Sequence, residues 1–392
     1  LPDGCGVNLF EHVAAFAIQL RMNPIRLLSG LLAALAVFQF SAAAQSSRPM
    51  PRRPSIILVV ADGLGAGDLS CYGQTQFQTP NLDKLAAGGI RFTHYSAGAA
   101  ESSAAWADLM LGVGNTPTNT DVTLEPGDVT IAQLLKNSGY WTCLIGEWNL
   151  GGQFTTGSPW LHGFDEFAGY LTHDDALNDY SDFIWRYEPG STNVDAPEFN
   201  GSEVVYANSG GKRGQYIPDW LTTLGLNFTK KHEPFYFNHF QPYFLVLHCS
   251  LPGNGNRRVL TDAPFSEEPW PQPEKNRAAM ISRLDGYVGQ LLERLDSIGQ
   301  ASNTVVFLTS DTVPRKTGGT DPKFFHENSP ADSLRVPLIV RCPGKIPAGQ
   351  VSGLDCSARD FLPTVAGVGL VQPPGNSDGA SFLSVLYGPG PK

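Results

Sequence analysis

Six apolar residues in a row, 56–61 (IILVVA), stop abruptly at Asp62-Gly63. An uninterrupted run of this kind, rather than an alternating one, is the pattern of a strand buried on both faces of a parallel sheet. A glycine-rich loop, a helical pattern and a second strand follow by Tyr95. Further along, residues 129–136 read as a helix and 141–145 and 244–248 as strands, while 304–309 form a strand running into Ser310-Asp311 and 336–341 give one more. The clearest helix spans 277–298, where Met280, Ile281, Leu284, Tyr287, Val288, Leu291, Leu292, Leu295 and Ile298 recur at helical spacing and belong to a core. Alternation of this kind predicts an α/β fold with a mostly parallel central sheet flanked by helices. Residues 185–235, rich in Gly, Asn and Pro, carry little periodicity and read as a long insertion.

The start of the chain follows a different pattern. From Met22, a basic Arg26, an apolar stretch at 27–40 and Ala42-Ala43-Ala44 form the three parts of a secretory signal. The apolar stretch is short for a membrane span, which needs about 20 residues; an uncleaved anchor is the alternative. Residues 1–21 are read as upstream or non-native, 22–44 as the signal peptide, 45–54 as a linker and 55–388 as the main domain. A secreted or periplasmic location is the expectation, with no integral membrane domain after signal cleavage.

Composition narrows the partners. A net charge of -10, with 16% charged residues and no basic run, argues against nucleic acid. Beyond the signal lie Cys71, Cys143, Cys249, Cys342 and Cys356, without CxxC spacing. They make neither a disulfide framework nor a zinc site, and read as small buried hydrophobes with at most one bridge.

Asp62, at the C-terminal end of a parallel strand, stands where open α/β sheets bind ligands. It is either a metal ligand or a turn cap. The ordered blocks DGLG (62–65), GD (67–68), TPNLDKLA (79–86), IGEWNLGG (145–152), TSD (309–311) and RVPLIVRCPGKIP (335–347) resemble the sulfatases, arylsulfatase-like members of the alkaline phosphatase superfamily. The resemblance covers residues 53–388. Relatives continue past 378–383 into a small C-terminal subdomain, which is expected to be missing here.

The resemblance implies hydrolysis of sulfate esters. A formylglycine made from Cys or Ser in a C/S-x-P/A-x-R motif attacks sulfur, a divalent cation (usually calcium) neutralises sulfate oxygens, and Lys and His side chains stabilise charge and protonate the leaving group. At those positions this chain departs. Ser102 takes the nucleophile slot and Ala104 fits, but Trp106 stands where Arg is implied; Ser102 and Ser103 are otherwise helix N-caps. Asp62, Asp311 and Thr312 match implied metal ligands, Thr312 in place of Asn or His, while Gly63 replaces a second Asp. Two carboxylates suggest weak calcium binding at most.

Glu147 and Asn149 stand where relatives carry Lys and His, which reverses a charge unless Glu147 turns outward into solvent. Pro252-Gly253 replaces Pro-His, and His248 reads as a satisfied core histidine. The second implied Lys falls near His326, with Lys323 three residues earlier. His326 keeps a titratable base. The expectation is a secreted sulfatase-family protein whose catalysis is impaired or lost, leaving a carbohydrate-binding or structural role. The alternative is an active sulfate or phosphate ester hydrolase using Ser102 as nucleophile or formylglycine precursor. A sulfated carbohydrate or aryl sulfate ester is the implied partner.

Overall fold

In the computed structural model the opening apolar run is strand β1, Ser55–Asp62, with all eight residues buried. Its side chains alternate between two cores. Ile56, Leu58 and Val60 enter one, with Phe92, Trp106, Leu135 and Leu362; Ile57, Val59 and Ala61 enter the other, with Leu82, Phe228, Leu284 and Leu291. Burial on both sides explains a run with no polar position, since each fully buried Val or Ile side chain contributes about 1.5–3 kcal/mol.

The structure describes residues 53–114, 116, 122–189, 201–233, 241–253, 260–313 and 334–388. The expected leader, His326 and Lys323 lie outside the described residues. After β1 come α1 (Pro80–Ala87), β2 (Ile90–Ser96), α2 (Ser102–Leu111), α3 (Ile131–Asn137), β3 (Trp141–Glu147), β4 (Glu166–Tyr170), α4 (His173–Ala176), β5 (Phe183–Tyr187) and β6 (Ser202–Val204). The order continues with α5 (Ile217–Lys231), β7 (Tyr243–Pro252), α6 (Gln272–Ser297), β8 (Thr304–Ser310), β9 (Leu338–Arg341), β10 (Gln350–Ser357), α7 (Phe361–Val368) and α8 (Leu383–Tyr387).

These strands form one sheet, in the order β10-β2-β9-β8-β1-β7-β3-β4-β5-β6. Its centre, β8-β1-β7-β3-β4, is parallel throughout. β9 runs antiparallel to both β2 and β8, and β5 and β6 close the far edge antiparallel. The predicted α/β fold with a mostly parallel sheet is therefore what forms.

Residues 185–235 differ from the expected insertion, because they contain the fifteen-residue helix α5. Ile217, Leu221, Leu224 and Phe228 do recur at helical spacing and pack inward. Thr222, Thr223, Gly225, Asn227 and Thr229 obscure the signal, being weak helix formers that only packing against the sheet can hold helical. Helix α6 also begins five residues before the expected 277, with a proline in its first turn where the missing N–H costs nothing. The five described cysteines are all free, so they form no bridge. Among the described residues no helix is long and apolar enough to cross a membrane.

Helix α6 anchors the loop after β1. Arg277 Nη2 donates to Oδ2 of Asp68 at 2.6 Å and to the Gly63 carbonyl at 2.8 Å, and Nη1 reaches the Gly253 carbonyl at 3.1 Å. Both partners are almost wholly buried, 5% and 1% exposed. Two turns along, Asp285 accepts the N–H groups of Asn81 and Leu82 at 3.0 and 2.8 Å, satisfying donors at the start of α1 that have no partner within the helix. Arg277→Met should destabilise the fold by about 3–5 kcal/mol in urea unfolding, because it leaves the buried Asp68 carboxylate without its cation, with the Gly65 N–H still donating to it. Adding Asp68→Leu to the same chain should restore most of the loss. A single-variant cost under about 1 kcal/mol would mean the pair is not a structural clamp.

Candidate active site

Parallel pairing of β8, β1, β7 and β3 brings their C-terminal ends to one edge, where Asp62, Asp311, His248 and Glu147 meet. Main-chain bonds stitch that edge together. The Asp311 N–H donates to the Ala61 carbonyl at 3.1 Å, and the Gly253 N–H to the Asp62 carbonyl at 2.8 Å. The Ser310 hydroxyl accepts the Leu64 N–H at 2.9 Å and lies 2.8 Å from the carbonyls of Ala61 and Thr312, one of which takes its proton.

Ser102 opens helix α2 just beyond the N-cap residue Glu101. It is not a cap. Its Oγ donates a short hydrogen bond to Oδ2 of Asp311 across the crevice. Thr312 Oγ1 donates to Oδ1 of the same carboxylate at 3.1 Å. His248 Nδ1 donates to the Glu147 carbonyl at 2.8 Å, which turns Nε2 to face Asp311 Oδ2 at 3.5 Å. Burial opposes ionisation of Asp311, but the facing His248 imidazole and the bonds from Ser102 and Thr312 outweigh it and hold the carboxyl below its usual range. For His248, burial again opposes the charge, and Asp311, with the fields of Glu147 and Asp62, raises its pKa nonetheless.

Glu147 does not turn outward. It is 1% exposed at the end of β3, with Oε1 3.0 Å from His173 Nδ1. That bond pushes the His173 pKa up to about 9 against the cost of burial, helped by the charges of Glu147, Asp62 and Asp311. The other oxygen, Oε2, has no hydrogen-bond partner among the described residues. Asn149 takes a left-handed φ of 55°, a backbone that Asn tolerates better than most residues. Trp106, one turn after Ser102, is completely buried with its ring centroid 4.8 Å from that of His248. Gly63 takes φ 67°, and a Cβ there would have room, its nearest neighbour being the Gly253 carbonyl oxygen at 3.6 Å.

Calcium seeks six to eight oxygens at about 2.3–2.6 Å. The described crevice offers the side-chain oxygens of Asp62, Asp311, Ser102, Thr312 and Glu147; both oxygens of Asp311 already accept protein donors, and Oε1 of Glu147 is paired with His173. No group of three or more His, Cys, Asp or Glu side chains among the described residues is placed to hold a metal ion. This donor set does not fit calcium.

The structure thus brings Asp62, Ser102, Asp311, Thr312 and Glu147 to one crevice and fills its floor with Trp106. Two site histidines escaped the sequence reading. His248 is buried as expected, yet it faces Asp311 instead of being satisfied within the core. Its signal was its place on a central strand, paired in register with Gly146, just before Glu147. His173 follows the end of β4 by three residues, a position that only strand assignment reveals.

Comparison with known proteins gives the fold its relatives. The Sulfatase family model matches residues 54–369. A steryl-sulfatase of Mus musculus is 27% identical over 464 aligned residues, covering 94% of this chain and 70% of that protein. An N-acetylgalactosamine-6-O-sulfatase of Bacteroides thetaiotaomicron is 26% identical, over 77% of this chain and 70% of its own. Among solved structures, Ps i-CgsB in complex with k-i-k-neocarrahexaose superposes with a TM-score of 0.67 at 26% identity, over 85% of this chain and 76% of that one. With the match running from β1 through α7, and so across the whole central sheet, the chain belongs to the sulfatase family, within the alkaline phosphatase superfamily.

Proposed function

We propose that this sulfatase-family protein has lost efficient cleavage of sulfate esters and keeps a carbohydrate-binding or structural role outside the cytosol. One observation carries the reading: the Glu147 carboxylate is buried inside the crevice, beside Asp62 and Asp311, where the resemblance implies a lysine. A sulfate ester is a fixed anion. With a unit charge at about 4 Å and an effective dielectric near 20, Lys would attract it by roughly 4 kcal/mol and Glu repel it by a similar amount. His173 offsets part of that repulsion, but its Nδ1 is already spent on Glu147. Each missing charge stabiliser or proton donor typically costs a factor of about 100 or more in rate. The location rests on reading residues 22–44 as a leader, and the ligand class on the carbohydrate named with Ps i-CgsB.

A second reading has one observation in its favour. The Ser102 hydroxyl already donates to the Asp311 carboxylate, so a serine attacking a phosphoryl or sulfuryl centre would have a proton acceptor in place. A carboxylate held below its usual pKa range is a poor base, which ranks this reading second.

The purified chain should show no turnover of an aryl sulfate or aryl phosphate above buffer, and mass spectrometry of the peptide spanning Ser102 should return plain serine. Glu147→Lys should raise affinity for inorganic sulfate at least about tenfold in calorimetric titration, since removing even part of the repulsion exceeds 1.4 kcal/mol. Turnover by the parent chain, or a sulfate affinity indifferent to this change, would refute the charge argument.

Stability should also depend on pH through His173. Its pKa is about 9 when folded against an ordinary 6.5, so its contribution is complete below about pH 6.5 and is lost as pH rises through about 9. The groups facing it are Glu147 from β3, Asp62 from β1 and Asp311 after β8. His173→Gln should flatten this part of the profile in urea unfolding measured across that range; an unchanged slope would show that the pair does not form.

A further inference from the structure

We propose that His248 stands in for the divalent cation implied by the fold family, so that protein groups alone hold Asp311 and the crevice takes up no metal. The starting point is the fate of a buried carboxylate. Asp311 is 3% exposed, and a charge so far from water needs a cation or a full set of donors. Here the donors come from the chain: Ser102 on Oδ2, Thr312 on Oδ1, and the His248 ring facing Oδ2. A metal at this carboxylate would have to displace the Ser102 proton and find its remaining ligands elsewhere. Gly63, where the resemblance implies a second Asp, offers no side-chain oxygen.

His248 is fixed in that position from two directions. The Glu147 carbonyl pins Nδ1, and the Trp106 ring lies 4.8 Å from the imidazole, centroid to centroid. Its side chain is 0% exposed, so the ring cannot swing into solvent to admit an ion. Trp106 fills the place where the resemblance implies the nucleophile-motif Arg. One substitution therefore removes a cation next to Ser102, while another strand supplies an imidazole that packs against the replacement. Among the described residues the Nε2 atom has no hydrogen bond, and the one acid there that it faces at ion-pair distance is Asp311. The two positions act together: Trp106 supports the ring, and the ring supports the acid.

Thermal unfolding of the full chain, stripped with chelator and then titrated with calcium, manganese or zinc chloride alone, tests this. The parent chain should unfold at the same temperature with and without each metal. In His248→Asn the amide can still donate to the Glu147 carbonyl while offering an oxygen toward Asp62 and Asp311. This variant should unfold at a lower temperature without metal and regain stability as calcium rises, since a ligand that binds only the folded state stabilises it by mass action. His248→Asp, which adds a carboxylate to Asp62, Glu147 and Asp311, should show the larger calcium-dependent rise.

Stabilisation of the parent by any of the three metals overturns the proposal, as does a folded His248 variant that ignores calcium. The parent titration decides even if both variants fail to fold. Calcium binding by a chain that turns over no ester would defeat this inference alone. Metal-free ester turnover would instead defeat the reading of lost activity.

Discussion

Three carboxylates, Asp62, Glu147 and Asp311, sit at one edge of a parallel sheet at 9%, 1% and 3% exposure, and charges so placed must be neutralised from within the fold. The rest of the crevice follows from that constraint. Glu147 takes His173, Asp311 takes Ser102, Thr312 and His248, and the Glu147 carbonyl orients the imidazole that faces Asp311. Both imidazoles lie within the electrostatic reach of all three acids. Among the described residues most of these polar atoms are paired, as burial favours, while Glu147 Oε2 and His248 Nε2 have no hydrogen bond.

Pairing acids within the fold and holding donors ready for a substrate make opposite demands. Cleaving a sulfate ester needs cations and donors left unsatisfied until the substrate arrives, aimed at where charge develops. In this crevice Ser102, Thr312 and His173 are paired with the chain's own acids, and Trp106 packs against His248 with ring centroids 4.8 Å apart. The large central sheet flanked by helices matches the fold of the sulfatase relatives, and the Arg277 clamp holds the loop after β1 in this chain.

Only part of this was visible in the chain itself. The long apolar run of β1 and the nine-residue stripe of α6 stood out because each is set by local periodicity. Helix α5 did not, since Thr, Asn and Gly along it weaken the helical signal and packing against β3 and β7 supplies what propensity lacks. Ser102 and Asp311 could be named as a pair of candidates, but whether Ser102 capped its own helix or reached across the crevice depended on a contact 209 residues apart.

By itself the sequence determined the parallel α/β sheet, the strand end that carries Asp62 and the presence of an acid at position 147, because run length, periodicity and residue identity are local properties. Tertiary structure alone decided that Glu147 points inward to His173 and that His248 turns its free nitrogen toward Asp311. Burial and pairing of charge arise from which strand ends become neighbours, and that adjacency is set by sheet order, not by any residue's place along the chain.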